Sequence, residues 1–125
     1  MSYSYGKKEK LKSQKLVEIL FSEGKSLSVY PLRMVFLKTN DSENVTIKCG
    51  VSVSKRNFKN AVDRNRIKRL LRETYRLNKI KYFNNISSSY AFMILYISKD
   101  GIDFDSLDKK MNLLLDKFSK LIAEE

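Results

Sequence analysis

Arg64, Lys68 and Arg72 recur at i, i+4 and i+8, with Asn65, Arg69 and Arg76 flanking that row. On a helix, residues four apart stand one above the other. This spacing therefore builds a ridge of like charge, and Arg66 lies off it near the boundary of the apolar face. Between Lys55 and Lys81 eleven Lys or Arg face only Asp63 and Glu73, so this stretch carries net +9 of the chain's +11. Neighbouring like charges on a helix repel by about 0.2–0.5 kcal/mol per pair, and a merely solvated face mixes both signs. The chemistry such a ridge performs is neutralisation of a polyanion, and nucleic acid is the obvious one. Arginine predominates, which suits forked contacts to phosphate and stacking on bases. Only one amide, Asn65, sits among the cations to read a base edge. Reading of phosphates and shape in structured RNA therefore fits better than sequence reading of duplex DNA.

Lys55, Arg56 and Lys59 bracket Asn57 and Phe58 just before that helix. Free N–H groups at the helix start, with three cations beside them, make a phosphate site. Lys48, Ser52 and Ser54 form the polar face of the strand that leads into this loop.

Other chemistry is narrowed by what is missing. The chain has no histidine, which removes Ser-His-Asp and Cys-His catalysis and histidine-ligated zinc. An enzyme built on this chain alone would rely on carboxylates, lysines or metal-bound water. Cys49 is the single cysteine. It forms no internal disulfide and is expected as a small core residue. Asp100, Asp103, Asp105 and Asp108 have a spacing that could coordinate a metal, but capping of the following helix explains them more simply.

The elements that must position these groups follow from periodicity. Leu16, Val17, Leu20 and Phe21 make one apolar stripe, predicting a first helix over Gln14–Glu23, started by Ser13 and ended by Gly24. Leu32 to Lys38 alternates as a strand after Pro31, with Leu32, Met34 and Phe36 on one face and Arg33, Val35 and Leu37 on the other. A polar turn of Asn40, Asp41, Ser42 and Asn44 precedes a strand whose Ile47, Cys49, Val51 and Val53 share a buried face. An antiparallel hairpin between these two strands is the simplest expectation. The basic helix is expected over about Asn60–Asn78, with Ile67, Leu70, Leu71 and Tyr75 facing the core and Leu77 at the edge. Tyr90–Ile97 is apolar on both faces, as in a central strand. A third helix carries Leu107, Met111, Leu114, Leu115, Phe118, Leu121 and Ile122 inward, with Asp105 or Ser106 as its cap. The expected fold is α+β: an α-β-β-α-β-α order with a three- or four-stranded sheet packed against helices.

At 125 residues and 42% hydrophobic content, one domain is expected over 11–125, after a flexible basic tail over 1–10. The sequence pI is about 9.8. No apolar run approaches the roughly 20 residues of a membrane span, and Met1–Lys12 lacks the apolar stretch of a secretory signal. A cytoplasmic protein without membrane association is expected.

The run Gly50-Val-Ser-Val-Ser-Lys55, then Asn60-Ala-Val62, then Arg64-Asn-Arg-Ile-Lys-Arg-Leu-Leu-Arg72 resembles the bacterial ribonuclease P protein component. Phe21-Ser-Glu-Gly24 also fits that family's first helix. The resemblance implies a catalytic RNA subunit that cuts precursor tRNA at the 5′ end of the mature sequence. The chemistry implied is hydrolysis by Mg²⁺-activated water, with Mg held mainly by the RNA. The protein then binds that RNA and the single-stranded leader, and no stable protein partner is expected. A left-handed β-α-β crossover is implied as well, against the usual hand. The resemblance implies contacts to the catalytic RNA for Arg64, Asn65, Arg66, Lys68, Arg69 and Arg72, and the charge reading adds Lys55, Arg56, Lys59 and Arg76 to the expected RNA-binding set. Lys12, Val17, Phe21, Arg33, Val35 and Ser52 are implied for the leader, in a cleft between the first helix and the sheet.

Three positions depart from the family pattern. Val17 replaces an aromatic, Ile97-Ser-Lys99 replaces an Ala-Arg pair, and the Lys55–Lys59 loop is one residue longer than the common form. A ribosomal-type RNA-binding protein is the alternative from the binding class, a protein-only nuclease that from the enzyme class. A basic membrane-surface protein is a third reading, set against apolar faces that the core needs.

Overall fold

The computed structural model describes residues 14–39, 47–83 and 88–123. The chain there forms α1 (Gln14–Glu23), β1 (Lys25–Val29), β2 (Leu32–Thr39), β3 (Ile47–Val53), α2 (Ala61–Phe83), β4 (Ser89–Tyr96) and α3 (Phe104–Ala123). The expected tail, the Ser13 cap and the polar turn after Thr39 lie outside the described residues.

α1 spans the expected residues and stops at Gly24, whose N–H donates to the Leu20 carbonyl at 2.9 Å. Glycine is needed here for space, since its φ is not positive. A Cβ at this position would stand 2.3 Å from the Leu20 carbonyl oxygen and 2.9 Å from that of Phe36. Both obstacles are backbone, so neither yields cheaply. Gly24→Ala is expected to cost about 2 kcal/mol or more through a shifted backbone. A lowered urea midpoint at unchanged slope is the readout; an unchanged midpoint would show that α1 can lift from β2 freely.

β1 is the element that periodicity does not announce. Its five residues, Lys-Ser-Leu-Ser-Val, bury only Leu27. It lies at a sheet edge and is held by its register on β2, from Lys25 opposite Phe36 to Val29 opposite Leu32. The element order is therefore α-β-β-β-α-β-α, one strand richer than expected.

The sheet order is β1-β2-β4-β3. β2 pairs antiparallel with both β1 and β4, whereas β3 runs parallel to β4. The expected hairpin between β2 and β3 does not form, because β4 lies between them. Its residues are apolar on both faces, and a strand of that kind gains most from the middle of a sheet. A parallel pair needs a long connection, and α2 supplies it between β3 and β4.

Leu32, Met34 and Phe36 of β2, with Phe92, Ile94 and Tyr96 of β4, join Ile67, Leu71 and Tyr75 of α2 in one core. α3 adds Leu107, Met111, Leu114, Leu115 and Phe118. Val35, on the opposite side of β2, is also buried. α1 contacts β2 and β4 and buries Leu20.

α2 runs five residues beyond Asn78, to Phe83. Asparagine is a helix-ending signal when its amide competes with the backbone. Here the Asn78 amide donates to the Thr74 carbonyl and to Asp108 Oδ1 of α3, each at 2.7 Å. Its polar group is thus satisfied inside the helix pair, and Phe83 is free to pack against Phe92 and Phe118. Leu77 is exposed rather than at a buried edge. α3 is capped by Asp103, two residues earlier than Asp105: the Ser106 N–H donates to Asp103 Oδ1 at 3.1 Å. Hydrogen bonds from the Ser106 hydroxyl and backbone hold the Asp103 carboxyl below its ordinary range.

Candidate nucleic-acid interface

Two surfaces of different character flank the sheet. The first is the exposed side of α2 with the loop before it. Asn60 caps the helix, accepting from the Val62 N–H at 2.9 Å. Asn65, Arg66, Arg69 and Arg72 are exposed and Lys68 half-buried. Among the described residues no hydrogen bond or ion pair ties up Asn65, Arg66, Lys68, Arg69 or Arg72. The two ends of the ridge differ. Arg76 Nη2 lies 3.0 Å from Glu73 Oε1, which offsets the charge presented there. Arg64 is half-buried, and its Nη1 donates to the carbonyls of Phe58 at 2.8 Å and Lys59 at 2.9 Å. Spacing alone makes Arg64 and Arg76 equal members of the row; only the placement of Glu73 and of the loop carbonyls separates them.

The loop itself is closed from within. The Phe58 N–H donates to the Ser54 carbonyl and the Arg56 N–H to Ser54 Oγ, both at 3.1 Å. The Phe58 ring packs against Tyr96, with centroids 5.9 Å apart. Lys55, Arg56 and Lys59 remain exposed. The aromatic residue inside this loop thus anchors it to the sheet, and the cations point away from the protein's apolar contacts.

The second surface is a cleft of about 220 Å³ lined by Phe21, Gly24, Ser26, Arg33, Val35, Leu95 and Ile97. Phe21 is 50% exposed and Ile97 41%, so an open aromatic face and an aliphatic wall stand near the exposed cation of Arg33. An aromatic face beside a guanidinium is the chemistry that takes a base by stacking and a phosphate by charge. Of the residues expected here, Phe21, Arg33 and Val35 line the cleft directly. Ser52 lies beside it, opposite Leu95 in the β3–β4 register. Val17 is half-buried on α1, and Lys12 lies outside the described residues. Gly24, Ser26, Leu95 and Ile97 were not expected. The signal for Leu95 is the second apolar face of its strand.

Asp100, Asp103, Asp105 and Asp108 do not gather into a metal-holding group. No group of three or more His, Cys, Asp or Glu side chains that could hold an ion occurs among the described residues. Asp103 is engaged as a cap and Asp108 accepts from Asn78. Among the described residues the donor set does not fit a protein-held metal.

The sequence model of the ribonuclease P family matches residues 5–119. The chain belongs to the ribonuclease P family. It is 36% identical over 115 residues to the ribonuclease P protein component of Porphyromonas gingivalis ATCC 33277, covering 88% of this chain and 82% of that one. It is 40% identical over 92 residues to the ribonuclease P protein component of Clostridium perfringens SM101, covering 73% and 67%. The RNase P protein from Thermotoga maritima superposes with a TM-score of 0.69 at 25% identity, over 87% of this chain and 96% of the other. A Staphylococcus aureus RNase P protein mutant gives the same TM-score at 24% identity, which speaks for the shared fold. Chains of this family are protein subunits of the endoribonuclease ribonuclease P, and this one is of the bacterial type. Among the described residues no helix is long and apolar enough to cross a membrane.

Proposed function

We propose that the chain is a single RNA-binding domain that grips two RNAs in ribonuclease P. The α2 ridge and its loop hold the catalytic RNA, and the α1–sheet cleft holds the 5′ leader of precursor tRNA. The observation that carries this reading is the division of labour between the two surfaces. One is a cationic helix face suited to phosphates of structured RNA; the other is an aromatic cleft with one cation among its described lining residues, suited to an unpaired strand. The protein's own groups bind and orient, and the RNA subunit performs the hydrolysis with the Mg²⁺ that it holds. Action in the cytoplasm, where precursor tRNA is made, accords with this role.

Reconstitution tests it. Added to a bacterial ribonuclease P RNA at low Mg²⁺, the chain should restore leader removal from precursor tRNA, and it should not cut without that RNA. A general RNA-binding protein would bind both RNAs and restore nothing. Within the holoenzyme, Phe21→Ala should weaken binding of precursor tRNA by about tenfold through a lost base stack. Binding of mature tRNA, which has no leader, should be unchanged; an equal loss for both would remove the leader from the cleft.

A further inference from the structure

We infer that Arg64 is a positioning residue, which sets the phosphate-binding shape of the Ser54–Asn60 loop rather than contacting RNA phosphate as one more ridge cation. The inference rests on the proposed RNA-binding role of that loop. Its carrier is one fork: Arg64 Nη1 donates to two successive carbonyls, Phe58 at 2.8 Å and Lys59 at 2.9 Å.

The geometry has an electrostatic consequence. Carbonyl oxygens are partial negative charges, and two of them beside a phosphate site repel the anion. The guanidinium neutralises both and turns them inward. The remaining bonds of the loop act in the same sense. The Arg56 N–H is fixed on Ser54 Oγ and the Phe58 N–H on the Ser54 carbonyl, both at 3.1 Å. Asn60 closes the far end by capping α2 through the Val62 N–H at 2.9 Å. Lys55, Arg56 and Lys59 are left exposed on a loop whose backbone is held at both ends. Preorganisation of this kind raises affinity by removing the ordering cost from the binding step. Lysine is a poor substitute, because its shorter, flexible stem does not hold an ammonium where the longer, planar guanidinium places Nη1 between both carbonyls.

A double-mutant cycle on the full chain decides it, with binding to a bacterial ribonuclease P RNA as readout. Arg64→Ala alone should weaken binding by about tenfold, and Arg64→Lys by nearly as much although it keeps the charge. Combined with Lys55→Ala, Arg56→Ala and Lys59→Ala, Arg64→Ala should add less than about twofold, because the groups it positions are gone. Its effect on the salt slope should exceed the loss of about one charge. Full additivity, or rescue by Arg64→Lys, would make Arg64 a direct phosphate contact and overturn the inference. If the triple loop variant binds as well as the parent, the loop is no phosphate site and the proposed role of that loop fails with it. Thermal melts of all variants check that the fold persists, and Arg64→Lys carries the test if Arg64→Ala does not fold.

Discussion

Phe118→Ala is expected to cost about 3–5 kcal/mol of folding stability, enough to unfold much of the population at physiological temperature. The ring is fully buried. It meets Phe36 of β2 at a centroid distance of 5.1 Å, Tyr90 and Phe92 of β4 at 5.5 Å each, and Phe83 of α2 at 6.0 Å. Three of these contacts are edge-on, the arrangement that ring quadrupoles favour. One side chain of α3 thereby ties two strands and the other long helix together, and its removal leaves a cavity that four other rings cannot all move to fill. Urea denaturation followed by far-UV circular dichroism measures the loss. Leu113→Ala on the same helix, where the side chain is half exposed, should stay within about 0.5 kcal/mol. Equal losses at the two positions would mean that the aromatic cluster does not organise the core.

Lys68→Ala with Arg72→Ala should weaken binding to the catalytic RNA by about 100-fold at moderate salt while leaving the urea midpoint unchanged. The estimate takes about 1.4 kcal/mol for each charge-assisted phosphate contact, at the lower end of such bonds. These two are chosen because no partner among the described residues engages them, whereas Arg64 and Arg76 at the ends of the row bond within the protein. Removal of two phosphate contacts should also flatten the plot of log affinity against log salt by about 1.4–1.8. Unchanged affinity and slope would move the RNA to another face. Arg76→Ala should have the smaller effect, since Glu73 already offsets its charge.

Much of this is legible in the sequence, because burial imposes a period. The 3.6-residue repeat of Leu107, Met111, Leu114 and Phe118 and the alternation of Ile47, Cys49, Val51 and Val53 place those residues on the faces they occupy. The phase of Lys68 and Arg72 likewise separates them from Ile67 and Leu71. What stayed hidden depends on partners distant in the chain. β1 has one buried residue and acquires its identity from β2. The neighbour of β2 is chosen by competition, which β4 wins through its two apolar faces. Asn78 stops a helix or continues it according to whether Asp108 is there to accept. Arg64 and Lys68 have the same spacing and similar charge, and only the Phe58 and Lys59 carbonyls make their surroundings different. The cleft needs Leu95 and Ile97 from the far end of the chain, so no local pattern around Phe21 could have outlined it.

The place of β4 in the sheet also sets an order of events during synthesis. The strand that joins β2 to β3 is sixth of the seven elements among the described residues. A nascent chain emerging from the ribosome therefore exposes α1, the β1–β2 hairpin, β3 and the whole basic helix before any of them has a common sheet. Over that interval β2 keeps one unpaired edge and β3 two, and the basic α2 has no folded core behind it. Folding waits for Ser89–Tyr96 to leave the exit tunnel and insert. A ribosome-bound chain stalled before that strand has cleared should be protease-sensitive throughout, and one stalled after α3 has cleared should be resistant.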